Sequence, residues 1–131
     1  MSQPKSELYV ITSMKNLVEY VLTISEKSPK KFRYSLLDRM HKACFEGIEL
    51  LYEANSCPLA SVERRQKQTM FRVKLKVIDY LGGVGEGRGC FTFHQYETIC
   101  KYIHDCDRLL RAWVTSDQRR AEEGSNKEKA I

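Results

Sequence analysis

The sequence predicts an all-α protein folded as an antiparallel, up-down-up-down four-helix bundle. Apolar residues recur at helical spacing through four long segments of the 131-residue chain. The connections between the segments are short, which favours antiparallel neighbouring helices. Hydrophobic residues make up 42% and charged residues 30% of the composition, which is typical of a globular chain with a buried core. We therefore expect one domain, with the bundle in residues 1–116 and a polar, flexible tail in residues 117–131.

The first two predicted helices are joined by a turn at Ser28 and Pro29. Helix one is expected from about residue 7 to 27 and helix two from about residue 29 to 54. Ser28 has a residue type that caps helix N-termini, and proline is favoured at the first helical position. Gly47 lies within helix two, where glycine costs about 1 kcal/mol relative to alanine, so it indicates a close helix crossing. The inward-facing apolar residues of the two helices are Leu8, Ile11, Met14, Val18, Val21, Leu22, Leu36, Leu37, Met40, Ala43, Cys44, Ile48 and Leu51.

The third and fourth helices are separated by a stretch rich in glycine. Helix three is expected from about residue 59 to 81. Residues 82–89 hold five of the seven glycines, and we predict a loop there because glycine disfavours a helix. Thr92 and Gln95 have the spacing of a capping box, which marks the start of helix four. Apolar spacing carries this helix to about Ser116.

Helix three carries apolar residues on two separate stripes. We expect the longer stripe to face the core of the bundle, and it comprises Val62, Met70, Val73, Val77, Tyr80 and Leu81. The second stripe and a row on helix two would then be exposed, and we predict an oligomer interface made by Tyr34, Phe45, Tyr52, Phe71, Leu75 and Ile78. The alternative is a wide core face that buries these side chains within one chain. We favour self-association into a ring or barrel.

Positive charge is concentrated in two segments of a chain whose net charge is +5. Residues 27–42 hold six basic residues and one acid, and residues 64–76 hold six basic residues and no acid. In an antiparallel bundle we expect these segments to lie together as one patch that binds phosphates. The candidate contacts with nucleic acid or a protein partner are Lys30, Lys31, Arg33, Arg39, Arg64, Arg65, Lys67, Arg72, Lys74 and Lys76. The alternative is a solvated surface that promotes solubility.

No motif predicts catalysis, a metal site or a cofactor. Cys100 and His104 are one helical turn apart, but the chain has no Cys-x-x-Cys pair, and its five cysteines are better explained as small buried thiols. The glycine stretch lacks the Lys-Ser/Thr ending of a phosphate-binding loop. Arg88 and His94 loosely resemble the arginine–histidine signature of HEPN ribonucleases, which are the enzyme alternative. We expect no enzyme activity, no metal and no cofactor.

The sequence contains no apparent membrane or secretory segment. No apolar run approaches the roughly 18–20 residues needed to cross a bilayer. The first seven residues lack the apolar core of a signal peptide, and the odd number of cysteines argues against a disulfide framework. We expect a cytoplasmic protein with reduced thiols and no membrane partner.

Residues 27–33, with the sequence KSPKKFR, resemble a segment of the accessory variability determinant (Avd) proteins of diversity-generating retroelements. The likeness extends to the run PKSELYV of residues 4–10 and to residues 43–55, which end the second predicted helix. It covers most of the four-helix span and is strongest in residues 8–55.

This resemblance implies a four-helix protomer that assembles into a basic pentameric barrel. It also implies a reverse transcriptase as obligate partner and contact with template RNA, with DNA as a further ligand. Together these would produce the error-prone complementary DNA that rewrites a variable gene of a bacterium or phage, and the accessory protein would have no chemistry of its own. The four-helix proteins encoded in intervening sequences of 23S ribosomal RNA share the bundle, and RNA binding without a polymerase is the alternative that they imply.

Overall fold

Four long helices account for nearly all of the computed structural model, which describes the backbone of residues 5–130 and the side chains of residues 9–127. The helices are α1 (Lys5–Ser25), α2 (Asp38–Ser56), α3 (Val62–Gly87) and α4 (Phe93–Ala130). Residues 5–130 contain no strand, so the all-helical prediction is confirmed. The predicted core position of Leu8 and the last residue of the predicted tail, Ile131, lie outside the described residues.

The helices share one apolar core. Helix α2 packs mainly on α3, and α1 packs mainly on α4. Helices α2 and α3 run in opposite directions. Two ion pairs show this, because Glu53 lies beside Lys67 and the earlier Glu46 lies beside the later Lys74. The largest fully buried side chains are those of Trp113, Phe71, Met14, Leu17, Met40, Leu51, Ile78 and Ile99.

Gly47 lies where three helices approach each other. A Cβ atom at this position would be 2.8 Å from Met14 Cε and 3.6 Å from a ring carbon of Phe71. The distance to Phe71 is an ordinary contact, whereas the end of the Met14 side chain would have to shift to admit a Cβ, so α1 approaches α2 closely at this position. The close crossing predicted at Gly47 is therefore confirmed.

The connection before α2 is more irregular than the sequence predicts. A 3-10 turn at Lys30–Phe32 and a π-helical turn at Arg33–Leu37 precede α2, and Pro29 takes the N-cap position without a side-chain cap. The predicted cap at Ser28 is wrong, because the Ser28 hydroxyl donates to the carbonyl oxygen of Cys90 at 2.9 Å. This bond instead ties the α1–α2 connection to the turn before α4.

Most of the glycine stretch is helical, so the loop predicted over residues 82–89 is wrong. Helix α3 continues through Gly87, and the chain reverses only around Gly89, which has a φ of 80°. Gly82 and Gly85 are buried beneath the rings of Tyr96 and Phe91, so the lack of a side chain is used for close packing rather than for a loop.

The start of the fourth helix follows the sequence prediction, whereas its end does not. The Thr92 amide donates to the Gln95 side chain at 2.9 Å and the Gln95 amide donates to the Thr92 hydroxyl at 3.0 Å, which confirms the capping box. The predicted end near Ser116 is wrong, because α4 continues to Ala130 and Asp117 is buried. Flexibility of residues 117–131 stays a prediction.

Among the described residues, no helix combines the length and the apolar character that a membrane span requires.

Replacing Gly85 by alanine should destabilise the protein, whereas the same change at Gly87 should stabilise it. A Cβ at Gly85 would lie 2.6 Å from two carbons of the rigid Phe91 ring, and overpacking of this kind costs roughly 1–3 kcal/mol. A Cβ at Gly87 meets nothing within 4 Å, so that substitution gains up to about 1 kcal/mol of helix propensity. Urea unfolding at one protein concentration measures both changes, and equal shifts for the two variants would contradict the packing role of Gly85.

Candidate partner and nucleic-acid interface

The centre of the buried face of α3 is not the stripe predicted to face the core. Phe71, Leu75 and Ile78, predicted as interface residues, are at most 2% exposed and belong to the core of the chain. Four members of the stripe predicted to face the core are exposed instead, namely Val62, Met70, Val73 and Tyr80, whereas Val77 and Leu81 are partly buried and pack against the core. Apolar spacing alone could not choose between two stripes on opposite sides of one helix, so the interface assignment of these three residues is wrong.

The other three predicted interface residues remain available for contacts. Tyr34, Phe45 and Tyr52 are exposed, and the ammonium group of Lys15 lies 5.8 Å from the centre of the Tyr52 ring. Like the outward stripe of α3, they present apolar surface that the core of the chain does not cover. Self-association through this surface stays a prediction.

Arg64 is not a surface contact, although the sequence predicts it as one. Its guanidinium donates to both carboxylate oxygens of Asp117, at 2.7 and 2.9 Å, and to the carbonyl oxygen of Cys57 at 3.1 Å. It also lies 5.1 Å from the ring centre of Trp113. The residue is 5% exposed, so its charge serves the interior of the bundle.

Asp117 is the ion-pair partner of Arg64, and the sequence analysis did not predict it. Gln68 and Arg120 also donate to its carboxylate, each at 2.9 Å. Burial alone would raise the pKa of Asp117, but the hydrogen bonds from Arg64, Gln68 and Arg120, with the positive charge of Arg64, hold that pKa below its usual value. The available signal was its spacing, because Asp117 follows Leu110 and Trp113 by seven and four residues and thus shares their buried helix face.

Lys67 and Lys74 form a second group, facing the acidic half of α2. Lys67 lies 3.5 Å from Glu53 and Lys74 lies 2.9 Å from Glu46. The hydrogen bond from Lys74 lowers the pKa of Glu46. These two predicted phosphate contacts are therefore largely neutralised by acids of the same chain.

Arg65, Arg72 and Lys76 form a third group, here called the α3–α4 cluster, on the exposed side of α3 that faces α4. Arg72 and Arg111 share the carboxylate of Asp107 at 2.9 and 3.2 Å, so two positive charges surround one negative charge. Arg65 and Lys76 are exposed and have no ion pair within the described part of the chain. Lys76 and Arg72 line a cleft of 320 Å³ between the two helices.

The remaining predicted contacts form the junction cluster, which comprises Lys30, Lys31, Arg33 and Arg39 and is fully exposed. The register set by Glu46 and Lys74 puts Arg33 at the level of Gly87, and thus about 16 Å along the bundle axis from Lys76. By the same register Arg39 lies at the level of Leu81, about 8 Å along the axis from Lys76, so the single patch predicted from the sequence stays a prediction. Between α2 and α3, Lys67 and Lys74 are paired with acids of the same chain, whereas Arg65, Lys76 and the junction cluster are exposed.

The reactive side chains do not assemble into a recognisable catalytic or metal centre. Within the described residues, no group of three or more His, Cys, Asp or Glu side chains is placed to hold a metal ion. Ser25 Oγ lies 2.9 Å from His41 Nε2, but it donates its proton to the carbonyl oxygen of Val21 at 2.6 Å, so the imidazole donates to the serine and does not activate it. Arg88 and His94, the residues of the ribonuclease alternative, are both exposed.

Comparison with known proteins gives one positive result. A family model described as bAvd-like matches residues 5–116. A search of curated proteins finds no match. The matched span covers the region of the resemblance to Avd proteins and ends one residue before the buried Asp117.

Replacing Asp117 by alanine should lower the free energy of unfolding at neutral pH by about 3–5 kcal/mol, because the buried Arg64 charge loses its partner. Asp105→Ala is the matched control, since Asp105 is half exposed and lies 4.0 Å from Arg108, and it should cost less than about 1 kcal/mol. Chemical denaturation measures both variants.

The difference between the wild type and Asp117→Ala should also depend on pH. Because the pKa of Asp117 is lower in the folded state than in the unfolded state, its contribution is complete above the usual carboxyl pKa of about 3.9. It is lost as the pH falls below that value. A difference that is constant down to pH values well below about 3.9 would contradict an ionised, paired Asp117.

Proposed function

The chain belongs to the bAvd-like family, and from this premise we propose that it is a non-catalytic accessory protein of a diversity-generating retroelement. In this role it binds the reverse transcriptase and its template RNA or complementary DNA, and it supports mutagenic reverse transcription. The observation that carries the proposal is the family match over residues 5–116, which takes in both basic clusters. The chain would act in the cytoplasm of a bacterium.

The proposed protomer is an up-down-up-down bundle that assembles into a pentameric ring. Two contacts support opposite directions for α3 and α4, namely Arg64 with Asp117 and Asp79 with Tyr96. Tyr20 and Tyr102, whose ring centres are 5.6 Å apart, support the placement of α1 beside α4. The exposed apolar stripe of α3 supplies a surface that a neighbouring protomer would cover.

The proposal assigns the α3–α4 cluster to the polymerase. Arg65 and Lys76 keep their charge without an ion pair inside the described chain, and a ring of protomers would repeat this surface. The junction cluster, on separate exposed turns, is assigned to the nucleic acid, where lysine and arginine give salt-dependent affinity with little sequence reading.

The test is co-purification with the reverse transcriptase encoded beside this chain. Wild type should retain the enzyme, and Arg65→Glu/Lys76→Glu should lose most of it, because both charges are reversed without breaking an ion pair among the described residues. The matched control is Lys101→Glu/Arg119→Glu, which makes the same charge change at two exposed positions elsewhere on α4 and should retain the enzyme.

The mass of the oligomer must be measured for each variant by light scattering. Loss of the enzyme from both double variants would indicate a general charge effect and contradict the assignment to the α3–α4 cluster. A wild type that captures no polymerase would contradict the retroelement function, and ribosomal RNA binding would then be tested. A nuclease activity abolished by His94→Ala would contradict the non-catalytic role.

A further inference from the structure

A cleft of 320 Å³ lies beside the junction cluster and has no role in the function proposed above. It is bordered by the end of α1, the π-helical turn and the start of α2. Its size is at the lower end of the roughly 300–1,000 Å³ that is typical of small-ligand pockets. Its lining residues include Leu22, Leu37, Ser28, Arg33 and Tyr34.

Tyr34 at the edge of this cleft is unusually exposed for an aromatic side chain. It is 88% exposed, the largest value among the exposed large hydrophobic residues of the described chain. It sits on the π-helical turn, a geometry that is rare in proteins and frequent at functional sites. Its flat ring is therefore presented to solvent beside a concave, partly apolar surface.

Basic side chains surround Tyr34 on the outside of the cleft. Lys30, Lys31 and Arg33 are exposed immediately before it in sequence. Lys31 also lies close enough to Cys90 to act on the pKa of that thiol, which burial raises and the lysine lowers. The turn that carries the exposed Arg88 is held against the same junction by the bond from Ser28 to Cys90.

The inside of the cleft is chemically different from its rim. Glu26 and Asp38 line it together with Arg33, so a phosphate group inside would meet two carboxylates. The His41 ring also lines it, and burial lowers the pKa of His41 although Asp38 raises it, which favours the neutral imidazole. A wall of mixed donors and acceptors suits the neutral edge of a nucleobase, whereas the outer lysines suit the phosphates.

We propose that the cleft at the α1–α2 junction binds an unpaired nucleobase, with Tyr34 as the stacking surface and Lys30, Lys31 and Arg33 holding the neighbouring phosphates. The combination of a basic track and an exposed aromatic ring is how proteins hold single strands without reading their sequence. The ligand class is therefore single-stranded nucleic acid, because the bases of a duplex are stacked on each other and cannot reach the cleft. This inference rests on the nucleic-acid role in the proposed function and adds the strand preference and the residue that produces it.

The test compares Tyr34→Ala, Tyr34→Phe and wild type for binding to a short single-stranded RNA that contains 2-aminopurine and to the matching duplex. Stacking is worth about 5- to 150-fold in affinity per base, so Tyr34→Ala should lose that much on the single strand and nothing on the duplex. Tyr34→Phe keeps the aromatic face and should bind as wild type does. The 2-aminopurine fluorescence, which is quenched on stacking, should be quenched by wild type and Tyr34→Phe only.

Tyr9→Ala is the matched control, because Tyr9 is 55% exposed and lies near the start of α1, whereas the junction follows the end of that helix. It should leave both affinities unchanged. Tyr34 is so exposed that its removal should change stability by less than about 0.5 kcal/mol, and circular dichroism checks that the variant is folded. Replacing Lys30 and Lys31 by glutamine should weaken single-strand and duplex binding alike and flatten their salt dependence.

Three results with the Tyr34→Ala variant would overturn the inference. They are unchanged single-strand affinity in Tyr34→Ala, an equal loss on single strand and duplex, or a fall in oligomer mass, which would place Tyr34 in the subunit interface. None of these results touches the polymerase capture assay, so the inference can fail while the proposed function stands. If wild type binds no nucleic acid, the inference fails, and the polymerase assay still decides the accessory role.

Discussion

The buried ion pair between Arg64 and Asp117 sets the orientation of α3, and the arrangement of the surface follows from that orientation. A guanidinium removed from water needs a carboxylate and further acceptors, and here Asp117 and the carbonyl oxygen of Cys57 supply them. Because Arg64 must face inward, so must the residues that share its side of the helix. These follow at alternating spacings of four and three and are Gln68, Phe71, Leu75, Ile78, Gly82 and Gly85.

This inward series is a regular heptad-like pattern in which only three of seven members are large and apolar. An arginine, a glutamine and two glycines occupy the other positions. A prediction based on apolar residues alone therefore does not identify this face as the buried one. The competing stripe of valine, methionine and tyrosine is more apolar and lies outward. The ion pair of Arg64 and Asp117 therefore explains why the apolar pattern predicted the wrong face. It also explains why an apolar stripe stays on the outside, where self-association would cover it.

The sequence predicted those parts of the fold that depend on local chemistry. The capping box at Thr92 and Gln95, the close crossing at Gly47 and the all-helical class are confirmed, because each depends on neighbouring residues or on one uniform periodicity. The burial of Arg64 was not predictable in the same way, since its partner is 53 positions away. The loop predicted at the helical glycines was wrong for a related reason. The rings of Phe91 and Tyr96 that cover these glycines belong to the next connection and the next helix.

In the candidate site, too, the sequence predicted what depends on neighbouring residues and missed what depends on residues far along the chain. Counting basic residues along the chain found both clusters, but it could not tell which cations would meet an acid. Folding pairs Lys67 and Lys74 with the acidic half of α2 and buries Arg64, while Lys76, Arg65 and the junction cluster stay exposed. The predicted basic contacts that stay exposed and unpaired are therefore fewer than a count along the sequence implies. Arg33 and Lys76 are about 16 Å apart along the axis, and since exposed charges more than about 10 Å apart are largely screened at physiological salt, these two positions can attract ligands independently. If the chain has the function proposed above, this distance would let one protomer hold a polymerase at the α3–α4 cluster and a nucleic acid at the Arg33 end of the junction cluster.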